Sequence, residues 1–112
     1  MTSEIDLLKF EAASGHLKFL PAVASGFLRQ LPQWQLDFAD ALASQNAHAQ
    51  LELLHKIKGA CYAVAAYNTA DVVHQAEAAH GRGEPLSPAD LLAHLQRVEV
   101  ELQVIVANAP PK

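Results

Sequence analysis

Along most of the chain, apolar residues return every three or four positions, the period of one buried helical face, and no stretch alternates as a strand would. The first segment, TSEIDLLKFEAASG, has Ser3 placed as an N-cap, Asp6 three positions on in the capping-box relation and Gly15 as a stop, which predicts a short helix. From Phe19 onward, Phe27, Leu31, Trp34, Phe38 and Leu42 keep the helical phase through Pro32. That reads as a single kinked helix, with two helices as the alternative, because proline removes a backbone donor and crowds the preceding turn. A third helix is predicted from about Ala47 to Ala65 and a fourth from about Tyr67 to His80. GRGEPLSPAD reads as a loop that closes on Ser87 as N-cap, Pro88 at the first helical position and Asp90 in the first turn. Leu91, Leu95, Val98, Leu102 and Ile105 then form a last stripe, spaced for packing against antiparallel neighbours. The expected fold class is all-α, an antiparallel four-helix bundle with a short additional N-terminal helix, with residues 1–112 making one domain.

Composition narrows what such a bundle can do. A chain of 112 residues can bury one core but has no room for a cofactor domain beside a substrate domain. The formal charge of -4 comes without a run of Lys or Arg, so the basic face that nucleic acid requires is missing. Cys61 is the lone cysteine; it can form no internal disulfide and no cysteine-based zinc site, and a reducing cytosol suits it. The longest apolar run, ACYAVAAY, is far below the roughly 20 residues that span a bilayer, and TSEIDLLKFE lacks the basic start and apolar middle of a secretion signal. No direct membrane contact is expected. No metal is expected either, since His48, His55, His74, His80 and His94 contain no i, i+4 pair and no H-E-x-x-H arrangement.

One stretch stands apart from this packing pattern: HKIKGACYA, residues 55–63. On a wheel of about 100° per residue with His55 at zero, Leu54, Ile57, Cys61 and Val64 fall on the far side and form the core face. Leu51, Lys58, Gly59 and Tyr62 lie within about 60° of the histidine, and Glu52 lies about 60° to its other side. His55 is therefore expected to face water or a partner. Gly59 costs the helix about 1 kcal/mol relative to alanine, a residue this chain uses freely nearby. On an exposed face, its missing side chain lets another surface approach the imidazole. Lys58, three residues on, can place an ammonium beside a group attached to the ring and neutralise its negative oxygens. Together the three describe an accessible nucleophile, a cation for anionic oxygens and clearance for a bulky reaction partner. Leu51 and Tyr62, apolar and aromatic groups on the same side, are candidates for a docking patch.

His55, Lys58 and Gly59 match the H-x-x-K-G motif, and the chain resembles the histidine phosphotransfer (HPt) domains of bacterial two-component phosphorelays. The resemblance covers most of the chain: the FLxxLPxW-like helix, the motif helix, the following helix and the closing helix stand in family order. Two positions depart from the pattern. The family often has a small polar residue where Ala60 stands and a glycine near the end of the motif helix, where this chain has Ala65; both bear on where that helix stops.

The resemblance implies a phosphate carrier in which the histidine takes a phosphoryl group from an aspartate of one receiver domain and passes it to another, with no ATP site and no autokinase activity. Neutral imidazole, with an ordinary pKa near 6.5, is a competent nucleophile through Nε2. Phosphoryl transfer rests mainly on positioning and charge stabilisation, so no resident cofactor is expected, and Mg²⁺ comes from the receiver. Family register places Glu77 on the next helix beside the ring, where it is expected to hold His55 at Nδ1 and leave Nε2 outward. The implied partners are response-regulator receiver domains and a hybrid sensor kinase, with the carrier a monomer in the cytoplasm or at the cytoplasmic end of a membrane-bound hybrid kinase. The competing reading is a phosphorylation-independent helical adapter or dimerisation module, which would be indifferent to His55→Gln. A histidine-kinase dimerisation domain fits less well, because such a histidine is normally followed by an acidic residue and here Lys56 follows.

Overall fold

The computed structural model describes residues 4–14, 16–84 and 88–108. Within them lie helices α1 (Leu7–Ser14), α2 (Leu20–Ala43), α3 (Ala47–Ala63), α4 (Tyr67–Gly81) and α5 (Pro88–Ala107), with a 3₁₀ turn at Leu17–Phe19. No strand occurs among the described residues. Helix α2 packs on α3 and α5, and α4 packs on the same two, which closes α2 to α5 into a four-helix bundle. Links of three residues, Ser44 to Asn46 and Val64 to Ala66, are short enough to make α2, α3 and α4 run antiparallel.

The core is the set of stripes the helical period marks out: Phe27, Leu31, Trp34 and Phe38 of α2, Leu54, Ile57 and Cys61 of α3, Ala70 and Val73 of α4, and Leu91, Leu95, Val98 and Leu102 of α5. Phe27 and Trp34 meet edge to face with centroids 5.2 Å apart, a geometry worth about 1 kcal/mol beyond the area they bury. Helix α2 is one unbroken element through Pro32, so the two-helix alternative does not apply. Core contacts on both sides of the proline outweigh the backbone bond it forfeits, a loss of about 3 kcal/mol in an isolated helix. Phe19 departs from the stripe. It caps α2 from the 3₁₀ turn and stays 49% exposed, with Lys18 Nζ 5.4 Å above its ring.

The helix ends show why α3 stops two residues before the expected Ala65. Val64 caps it, and Ala65 turns into the left-handed region at φ 59°, letting the Ala66 N–H donate to the Cys61 carbonyl at 2.8 Å and the Ala65 N–H to that of Tyr62 at 3.0 Å. These bonds satisfy carbonyls the last turn would otherwise leave open. Gln45 (φ 56°) ends α2 and Gly83 (φ 79°) ends α4 by the same pattern. At the other end of α3, the Asn46 side chain accepts the Ala49 N–H at 3.0 Å. The buried Gln50 amide donates to the Ala41 carbonyl at 3.0 Å and ties α3 to the end of α2.

Asp6 sits directly before Leu7 and its carboxylate accepts the Lys9 N–H at 3.0 Å, so the capping position of α1 falls at Asp6. The expected roles of Ser3, Gly15 and Ser87 fall outside the described residues. Pro88 opens α5 and Asp90 stands in its first turn. The N-terminal segment is strapped to the bundle: Ile5 and Phe10 are buried, and the Asp6 N–H donates to Ala65 at 3.0 Å. The Glu4 carboxylate accepts the Thr69 hydroxyl at 3.3 Å and lies 3.5 Å from Arg97 Nε. No helix among the described residues is long and apolar enough to cross a membrane.

Candidate functional site

The middle of α3 presents its outer face between α4 and open solvent. The His55 side chain is 76% exposed, on the side where the wheel puts it, because Leu54 and Ile57 turn the opposite face into the core. A methyl group built on Gly59 would find nothing within 4 Å, so nothing in the described fold calls for a missing side chain there. Leu51 and Tyr62, 41% and 48% exposed, flank the ring along the helix, and neither is part of the buried core. Tyr62 leans on Tyr67 with centroids 5.8 Å apart, and Lys9 of α1 lies 5.0 Å from the Tyr67 ring centroid.

Glu77, on the third turn of α4, comes to this face as family register suggests, and it is not a solvated surface carboxylate: its side chain is 16% exposed. Oε2 lies 3.8 Å from His55 Nδ1, beyond hydrogen-bond length. Its nearer partner is Lys58, whose Nζ stands 3.0 Å from Oε1. Oε1 is sealed from solvent and receives no hydrogen bond of ordinary angle, so the Lys58 contact is a charge pairing, not a well-directed bond. Lys58, pictured from the wheel as an outward cation, is drawn inward to 18% exposure. Sequence reasoning missed this pairing. The only signal for it is the opposite charge of two residues that family register already puts near one histidine.

His55 itself borders a shallow open concavity that is also lined by His48, Leu51, Glu52, Lys56 and Glu77. His48 Nε2 and Glu52 Oε1 pair there at 3.2 Å, one turn apart and well exposed. His80, unassigned by sequence reasoning, has a structural place: its Nε2 lies 2.9 Å from the Ala47 carbonyl and clips the end of α4 to the start of α3. Among the described residues, no three His, Cys, Asp or Glu side chains gather as a metal would need.

The family model of the Hpt domain matches residues 23–107, from early in α2 to the end of α5. The chain belongs to the Hpt domain family. Hpt domains are phosphotransfer carriers in phosphorelays and engage the receiver domains of response regulators. No curated protein and no solved structure matches the chain. In this Hpt domain the matched region holds His55, Lys58, Gly59, Glu77, Leu51 and Tyr62, while α1 and the 3₁₀ turn precede it.

Proposed function

We propose that this Hpt domain relays a phosphoryl group between receiver-domain aspartates through a phosphohistidine on His55. The observation that carries the reading is the outward imidazole, 76% exposed, with a lysine one turn on and an open flank at Gly59. Nε2 attacks the phosphorus of an aspartyl phosphate, the N–P bond forms as the acyl O–P bond breaks, and the donor carboxylate leaves; delivery runs the same path backward. Lys58 stabilises the phosphoryl oxygens, Gly59 gives the receiver room, and Glu77 orients the ring through Nδ1. Leu51 and Tyr62 supply apolar contact to the docking receiver. Mg²⁺ belongs to the receiver, and the carrier has no ATP site, no cofactor of its own and no need to oligomerise. Receivers of response regulators, together with a hybrid sensor kinase as the source of phosphate, are the partners, on the cytoplasmic side.

The test mixes the protein with a panel of phosphorylated receiver domains and follows acid-labile phosphate. Wild type becomes labelled by at least one receiver and passes the label to another, while His55→Gln accepts none. Labelling of His55→Gln equal to wild type, or labelling of wild type by ATP alone, would refute the assignment. The adapter reading predicts that His55→Gln keeps every partner interaction and that no receiver labels either protein.

A further inference from the structure

Lys58 is the cation assigned above to the phosphoryl oxygens, yet in the unphosphorylated protein it is already engaged. Its Nζ stands 3.0 Å from Glu77 Oε1, and the same carboxylate holds Oε2 3.8 Å from His55 Nδ1. One largely buried carboxylate thus faces two partners and fully satisfies neither, since Oε1 has no hydrogen bond of ordinary angle and the gap to Nδ1 exceeds hydrogen-bond length. Such an under-satisfied carboxylate moves toward whichever neighbour gains positive charge.

Phosphorylation changes which neighbour that is. When the Nε2 lone pair forms the N–P bond and the donor's acyl O–P bond breaks, the proton on Nδ1 stays, so the ring becomes positive as the phosphoryl oxygens bring in negative charge. Lys58 then meets a stronger anion on the outer side of the ring, and Glu77 meets a new cation at Nδ1. We infer, resting on the phosphocarrier reading of His55, that phosphorylation makes Lys58 exchange Glu77 for the phosphoryl oxygens while Glu77 closes onto Nδ1–H. Glu77 is a positioning residue for Lys58 as well as for the ring: it stores the ammonium beside the site until the phosphoryl group arrives. Closing the 3.8 Å gap to a hydrogen bond takes about 1 Å, and the flexible four-carbon stem of lysine carries the ammonium across.

The experiment uses isotope-labelled full-length protein phosphorylated chemically with potassium phosphoramidate, with NMR of Lys58 Nζ, the Glu77 carboxyl carbon and His55 Nδ1–H. After phosphorylation both Lys58 and Glu77 signals shift, and Nδ1–H becomes protected from solvent exchange. In Glu77→Gln the amide oxygen still accepts from Nδ1–H, so protection persists, but Lys58 Nζ already resonates as an unpaired ammonium before phosphorylation. Glu77→Ala loses both features, and Nδ1–H exchange in the phosphorylated protein speeds up about tenfold, as expected for loss of a charge-assisted bond worth about 1.4 kcal/mol. Phosphate on His55 with unmoved Lys58 and Glu77 signals would overturn the exchange and leave the carrier reading intact. Exchange seen after phosphoramidate while every receiver fails to label His55 would support the exchange and remove the carrier reading. Phosphoramidate that never modifies His55 would overturn both.

Discussion

Replacing Gly59 separates what the fold wants at that position from what a partner wants. Glycine inside a helix is worth about 1 kcal/mol less than alanine, because it loses more backbone freedom on folding. A Cβ at residue 59 meets nothing within 4 Å, so no clash offsets this gain. Gly59→Ala should stabilise the protein by about 0.5–1 kcal/mol, which for a domain of this size raises Tm by about 2–5 °C. Gly59→Leu should keep most of that gain, yet project a branched side chain from the face of α3 one turn beyond His55. If a receiver closes over that face, the leucine holds it off. A displacement of even 1 Å from the in-line geometry of phosphoryl transfer costs about a hundredfold in rate. The assay pairs thermal unfolding with the rate of phosphoryl uptake from a phosphorylated receiver. Expected are a higher Tm for both variants, uptake little changed for alanine, and uptake lower by at least about tenfold for leucine. Destabilisation by alanine would show that a packed surface occupies the site, and undiminished uptake by Gly59→Leu would refute the clearance argument.

Further outcomes are expected at the buried thiol, at the left-handed helix ends and at the flanks of His55. The Cys61 thiol is pushed up to about 12, first by burial and secondarily by the Glu4 charge, so it should resist alkylation in the native protein at pH 8. Because the folded value lies above the unfolded one, near 9, the native state holds its proton longer; this contribution to stability is intact below pH 9 and is lost as pH rises toward 12. Urea titrations at pH 8 and pH 10 should therefore show a fall in stability that Cys61→Ala reduces. Gln45→Gly, at an exposed left-handed position, should stabilise by about 1 kcal/mol in chemical denaturation, whereas Ala65→Gly should be nearly neutral, because relief of the same strain is offset by loss of a buried methyl worth about 0.8 kcal/mol. Leu51→Glu and Tyr62→Glu, at residues 41% and 48% exposed, should leave Tm within about 2 °C of wild type while weakening receiver binding at least about tenfold by titration calorimetry.

Much of the fold was legible in sequence order because helices form from local information. The spacing of Phe27, Leu31, Trp34 and Phe38 marks one face whatever lies opposite it, and Asn46 and Pro88 start helices through bonds and angles within a turn. The outward direction of His55 was legible for the same reason: it follows from the phase of α3 against Leu54 and Ile57. The end of α3 was not, because alanine carries no signal for a left-handed turn. Ala65 takes that turn where its carbonyl accepts the Asp6 N–H and its neighbours fill the core.

The sequence by itself determined the helices, their apolar faces and the motif on the exposed side of α3, all of which depend on residues within a few turns of each other. Only the tertiary structure decided that Lys58 is folded against Glu77 instead of standing free, and that Glu4, Thr69 and Arg97 strap the N-terminal segment to the bundle. Those contacts join residues far apart along the chain, and the balance among them is set by distance and burial. A carboxylate 3.0 Å from an ammonium and 3.8 Å from an imidazole chooses between them by geometry that no local pattern encodes.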